Sequence, residues 1–151
     1  TVLDQNLRFY YTLGAVLHDQ HPVVGHDAIK VKDHQTQLRE RAPMRGYVCL
    51  VSRIHAVELH DLTLAQAEAF MRDVHRVSRV LSAVTGAVKL NYEIHGNTLP
   101  HLHMHFFPRY VGDPFEGRAI EPSRIVAPVY VAGEFAVMRG RIVAALGGAP
   151  R

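Results

Sequence analysis

The sequence contains one cysteine, no tryptophan and only three lysines among 151 residues. A single cysteine closes no internal disulfide, which excludes a disulfide-stapled scaffold and points to a reducing, cytoplasmic compartment. Cys49 lies in the apolar run Val48, Cys49, Leu50, Val51, where its default role is core packing. The scarcity of lysine leaves the positive charge to 14 arginines, with a net charge of only +3. The planar fork of arginine binds two oxygens at once, so a small phosphorylated ligand suits this composition. Arg39, Arg41, Arg45, Arg53, Arg118, Arg124, Arg139 and Arg141 are scattered along the chain. They form no basic stripe interleaved with aromatics, which argues against a nucleic acid polymer as partner. No apolar run approaches the roughly 20 residues of a membrane span, and Phe9 to Leu17 is followed by no small-residue cleavage pattern. A membrane partner is not expected. Repeats and low-complexity tracts are missing too, leaving the composition of a globular protein.

What is present is periodic. Apolar residues make up 48% of the chain, which is long enough for one compact domain and too short for two ordinary ones. In the first 27 residues Leu3, Leu7 and Leu13 suggest a helical stripe, and His21, Pro22 and Gly25 a turn. Ala28 to Asp33 reads as a short strand, His34 to Pro43 as a loop or helical turn, and Gly46 to Val51 as the next strand. From Leu64, apolar residues recur at three and four (Ala67, Phe70, Met71, Val74, Val77, Leu81, Val84), with Asp61 or Thr63 as cap and Gly86 as stop. Val88, Leu90, Tyr92 and Ile94 then alternate with Lys89, Asn91, Glu93 and His95, the pattern of a strand with one face in the core.

After a turn at 96–100, His101 to Phe107 alternates again. Leu102, Met104 and Phe106 are expected inward, with three histidines on the opposite, solvent face, and the two strands as antiparallel neighbours. Pro108 and the Gly, Asp, Pro cluster at 112–117 end that strand, and Gly133 to Leu146 carries Phe135, Met138, Ile142 and Val143 on a terminal helix. The class is α+β, an antiparallel β-sheet with covering helices.

Residues two apart on a strand share a face at roughly 6.6 Å, so His101, His103 and His105 form a row of imidazoles. Such rings can attack phosphorus, donate to its oxygens and move protons near neutral pH. With 11 histidines in the chain, spacing alone yields such a triad by chance roughly 0.06 times, so the flanks must decide. A zinc site is the rival chemistry, but a straight row converges poorly on one ion. His55, His60, His75 and His95 read as surface or hydrogen-bonded structural residues. Arg109, after Pro108, reads as a solvated side chain as readily as a phosphate ligand.

The flanks are informative. The run GNTLPHLHMHFFPR, Gly96 to Arg109, resembles the signature of the histidine triad family, three histidines separated by single apolar residues after a polar turn. Upstream, GYVCLVSRIH from Gly46 to His55 resembles the family's glycine, histidine, apolar strand, basic, histidine segment, with the helix from 64 to 84 falling between the two in the family's order. The resemblance covers about 28 to 109. It implies a single domain over 1–151, with 1–27 an N-terminal extension and 110–151 a C-terminal tail bearing a helix.

It also implies a small-molecule nucleotide substrate and a two-step transfer of a nucleoside phosphoryl group, as in cleavage of a phosphoramidate or a dinucleoside polyphosphate. His103 would be the nucleophile, with His101 and His105 flanking the phosphorus and Asn97 and Thr98 adding hydrogen bonds at the turn. Asp33 matches a ribose contact and Asn91 a nucleotide contact. Neither metal nor cofactor is required. Relatives are commonly homodimers, and Phe135, Met138 and Ile142 on the terminal helix offer a face for that contact. One departure stands out: many relatives place a fourth histidine after the glycine aligned with Gly46, where this chain has Tyr47. Tyrosine, with an ordinary pKa of about 10, does not titrate at neutral pH, which favours a nucleotide-binding module with little turnover as the alternative.

Overall fold

Thr63 opens the long helix α1 (Leu64–Thr85). Its hydroxyl accepts from the Gln66 amide at 3.3 Å while the Gln66 side chain accepts from the Thr63 amide at 2.9 Å, a reciprocal capping box that satisfies two orphan donors. Of the two candidate caps it is therefore Thr63 that acts. Gly86, left-handed at φ +67°, ends the helix as its periodicity predicts. Phe70, Val74, Val77 and Leu81 form the buried stripe, whereas Met71 is 44% exposed and lies off it. The computed structural model describes residues 28–31, 34–38, 42–97, 100–121, 124 and 128–147. The readings for 1–27, Asp33 and Thr98 fall outside these residues.

The stripe packs on a five-stranded antiparallel sheet: β1 (Ala28–Val31), β2 (His34–Leu38), β3 (Val48–Val51), β4 (Lys89–Ile94) and β5 (His103–Arg109), in the order β1-β2-β3-β5-β4. The α+β class is as the sequence implies. The loop expected at His34 to Pro43 is instead a strand over its first half, His34–Leu38. β2 is held by backbone pairing to both neighbours, from Val31↔His34 on one side to Leu38↔Val48 on the other, and a ladder of amides and carbonyls does not need apolar side chains. Its sequence HQTQL therefore gives little warning.

β4 and β5 are antiparallel neighbours, in register from Lys89↔Arg109 to Ile94↔Met104. Two boundaries of β5 differ from the sequence reading. It runs through Pro108 to Arg109, because pairing with β3 ends at Phe106 and proline is tolerated where one side of the strand has no ladder. It begins only at His103. Leu102 is tied instead to the loop after β3, its amide donating to Ala56 and its carbonyl accepting from Ser52, so His101 sits at a bend just before the strand.

Helix α2 (Glu134–Ala145) packs against α1. Met138 and Ile142 are 4% and 0% exposed and belong to the same core as Phe70, Leu50 and Phe106, and the Phe135 ring stands edge-on to Tyr130 at 5.3 Å. The proposed dimer face on this helix is thus corrected. Its apolar side is consumed inside the chain, against α1 and Tyr130.

A tight turn before β3 fixes the next element. Gly46 has φ +79°, and a Cβ there would lie 2.6 Å from Thr85 Cγ2 and 3.2 Å from Pro108 Cγ. Only glycine combines this backbone with this approach. The Gly46 amide donates to the Tyr130 hydroxyl at 2.7 Å, the Tyr110 hydroxyl donates to the Arg45 carbonyl at 2.9 Å, and Arg45 pairs with Glu134. The turn that delivers Tyr47 is clamped from three sides.

Candidate active site

Register decides which side chains share the histidine face. Residues directly opposite on paired strands point the same way, so β5 presents His103, His105, Phe107 and Arg109, and β4 aligns Glu93 with His105 and Asn91 with Phe107. On β3, Cys49 is opposite His105 and Val51 opposite His103. Met104 and Phe106 occupy the other face, toward the core, as alternation requires. The histidine face is nevertheless not open to solvent: His101 and His103 are 7% and 6% exposed. The rings cover one another, His103 standing edge-on to His105 at 4.7 Å, His55 lying 5.6 Å from His101, and Tyr47 and Phe107 each 5.9 Å from His105.

Each ring is fixed by a hydrogen bond, and two of the three partners settle the tautomer. A carbonyl oxygen only accepts, so His103 Nδ1, 2.6 Å from the His101 carbonyl, carries the proton and Nε2 keeps its lone pair. By the same logic His101 donates from Nε2 to the Ser52 carbonyl at 2.7 Å. His105 Nδ1 is 2.6 Å from the Tyr47 hydroxyl. Burial drives the His103 pKa below its ordinary value, opposed by the bond to the His101 carbonyl and reinforced by His95. Burial, then repulsion from His103 and His95, pushes His105 down to about 3. Both rings are neutral at pH 7.

Set against the sequence reading, the structure brings Tyr47, His101, His103 and His105 together. Asn91 is half-buried on the same face, one step along β4 from the rung of His105, and lines a groove of about 570 Å³ with Lys89, Arg109 and Arg118. Asn97 is exposed in the turn between β4 and β5. Arg109 is not a solvated arginine: it is 8% exposed, forked onto Asp113 at 2.8 and 3.0 Å, and bonded to the carbonyls of Arg118 and Phe115, where it braces the 109–118 loop.

A sequence profile of the HIT domain matches residues 23–112, more than half of the chain's length. This chain belongs to the HIT family. A histidine triad protein from Bradyrhizobium japonicum is 27% identical, with 87% of this chain and 97% of that chain covered and a TM-score of 0.70. A histidine triad protein from Marinobacter aquaeolei is 21% identical, covering 87% and 98%, with a TM-score of 0.71. A zinc-bound histidine triad family protein from Mycobacterium smegmatis is 20% identical, covering 80% and 83%, with a TM-score of 0.57. At these last two identities the likeness is one of fold. No curated protein matches the chain.

Within the HIT frame, two histidines set aside as structural prove to border the triad. His55 packs on His101, and His95 lies 5.7 Å from His105 with its Nε2 2.9 Å from Glu93 Oε2. The signal for His95 was in the register: continuing the β4 ladder one step past Ile94↔Met104 sets residue 95 opposite His103. For His55 the signal lay in the segment GYVCLVSRIH, which it closes, and not in a ladder, because a loop carries it. Among the described residues, no group of three His, Cys, Asp or Glu side chains is arranged to hold a metal ion, and no helix is long and apolar enough to cross a membrane.

Proposed function

We propose that this HIT protein is a nucleotide hydrolase or nucleotidyl transferase acting through a covalent nucleotidyl-histidine intermediate on His103. HIT membership supports the nucleotide-binding, hydrolase or transferase kind. The observation that carries the finer reading is the bond from His103 Nδ1 to the His101 carbonyl, which places the proton on Nδ1 and leaves the Nε2 lone pair available for attack. Nε2 attacks the α-phosphorus of a phosphoramidate or dinucleoside polyphosphate, the bond to the leaving group breaks, and water or another acceptor then displaces His103 from phosphorus. His101 and His105 flank the reacting group, and Asn91, Asn97, Thr98 and Asp33 contribute nucleotide contacts. Neither a metal nor a cofactor enters this scheme. A homodimer in the cytoplasm completes the reading, its compartment resting on the single cysteine.

A second reading, a nucleotide-binding module with little turnover, is favoured by Tyr47, which stands against His105 in the place of a titratable residue. Diadenosine polyphosphate and an adenosine phosphoramidate, offered to the wild type and to His103→Ala, separate the two. The enzyme reading expects turnover that disappears in the variant with nucleotide binding kept. Equal binding and equal, negligible turnover in both proteins leaves the module.

A further inference from the structure

We infer that Tyr47 is a positioning residue whose hydroxyl donates to His105 Nδ1, fixing that ring as a neutral Nε2–H donor toward the departing group and suiting the site to leaving groups that depart as phosphate-type oxyanions rather than as amines. The inference deepens the functional reading above and rests on it. The oxygen-to-nitrogen distance is 2.6 Å, the two rings stack at 23°, and Tyr47 is 8% exposed. A neutral imidazole has one proton, so a ring that accepts at Nδ1 carries it on Nε2. The opposite tautomer turns a lone pair toward an anionic phosphate and leaves that charge without its donor. The hydroxyl is held in place because Gly46, one residue before it, is clamped by Thr85, Pro108 and Tyr130.

Burial and two neighbouring imidazoles keep His105 neutral. His103 faces it along β5, Cys49 is opposite on β3, and β4 contributes Glu93 directly across and His95 beside it, with Glu93 engaging His95 Nε2. Burial and the two neighbouring imidazoles bring its pKa down to about 3. Tyr47 reinforces this, because Nδ1 is already accepting a proton bond.

The chemical consequence follows from where protons go. Attack by His103 Nε2 forms a P–N bond, and when the bond that breaks is P–O to a phosphate, its electron pair stays on an oxygen that leaves as an anion. No proton is consumed, and the Nε2–H of His105 stabilises the developing charge. When the bond that breaks is P–N to an alkylamine, the nitrogen must gain a proton as it leaves. His105 can give one only if Nδ1 takes the proton of Tyr47, creating a buried tyrosinate from a group of ordinary pKa about 10. General-acid catalysis contributes typically 10²–10⁴-fold, so substrates that depend on it lag by about 100-fold or more.

The test has two arms. In the first, ¹⁵N-resolved NMR of the histidine rings in substrate-free protein is expected to show His105 protonated on Nε2 and accepting at Nδ1 across neutral pH. In Tyr47→Phe the His105 tautomers mix while His103 keeps its proton on Nδ1, which also verifies the fold. In the second arm, kcat/KM for diadenosine polyphosphate exceeds that for an adenosine alkylphosphoramidate by about 100-fold or more. Tyr47→His, which supplies a partner able to carry a proton, narrows the ratio at least tenfold. A proton on His105 Nδ1, a wild-type ratio near one, or a ratio untouched by Tyr47→His overturns the inference. Turnover of neither substrate removes the functional reading and the leaving-group preference together, whereas the NMR arm separately upholds or removes the Tyr47 contact.

Discussion

Acid should weaken this fold before its carboxylates titrate, and the reason lies at His105. In the folded chain that ring has a pKa of about 3 against 6.5 when exposed. Between those two values the unfolded chain binds more protons than the folded one, so stability is complete above about pH 6.5 and falls as pH drops through that window. At pH 5 the unfolded ring is almost fully charged and the folded ring almost fully neutral. The difference of about 1.5 pH units from 6.5 corresponds to about 2 kcal/mol. His103 shifts in the same direction and adds to the loss. With a urea slope of roughly 1–3 kcal/mol/M, the unfolding midpoint moves down by about 1 M between pH 8 and pH 5. Urea titrations followed by circular dichroism at several pH values, on wild type and His105→Gln, measure this. The variant should be flatter by about 2 kcal/mol over that interval, whatever its absolute stability. Parallel pH dependence in the two proteins would refute the argument that His105 is buried neutral.

Gly46→Ala should destabilise the fold by about 2–4 kcal/mol in the same titration, combining the cost of a left-handed backbone with overpacking against Thr85 and Pro108; a loss below 1 kcal/mol shows that the turn yields. Arg109→Leu should cost about 3 kcal/mol by stripping the Asp113 fork and two carbonyl partners. Its nucleotide affinity, measured by calorimetry, should stay within threefold of wild type, and a large fall in affinity with little loss of stability shows instead that the arginine serves the ligand. In the pH profile of kcat/KM, the acid limb assigned to His103 should lie below pH 6.5, since burial depresses that ring; a limb above 6.5 contradicts the neutral nucleophile.

Much of the fold was legible because local rules and burial agree. In α1, the capping box at Thr63, the stripe from Phe70 to Leu81 and the stop at Gly86 all specify one helix. In β4 and β5, alternation gave which residues share a face and which strands pair, but not their burial: Val88, Tyr92 and Ile94, read toward the core, are exposed, and His103, read toward solvent, is buried. The sequence failed where tertiary register, not local pattern, does the work. β2 has a polar sequence, and only its backbone pairing with β1 and β3 reveals it as a strand. His101 leaves the strand because Leu102 bonds to a loop 46 to 50 residues away in sequence. The inward face of α2 cannot be told from a dimer face by periodicity, since both need the same stripe. At the candidate site, His103 and His105 on one strand face were readable, but the bend that carries His101, the burial of the rings and their tautomers were not. Those depend on Ser52, Tyr47 and the His101 carbonyl, which only the folded sheet brings to the rings.

The proposed catalysis turns on a bond between phosphorus and one nitrogen. Mixing the protein with diadenosine polyphosphate, quenching in alkali, where a phosphorus–imidazole bond survives, and measuring the intact and peptide masses tests that bond directly. The expected result is one nucleoside monophosphate attached to the peptide containing His101, His103 and His105, localised to His103 and absent from His103→Ala. Steady turnover with no adduct at any quench time, and turnover surviving in His103→Ala, would contradict it.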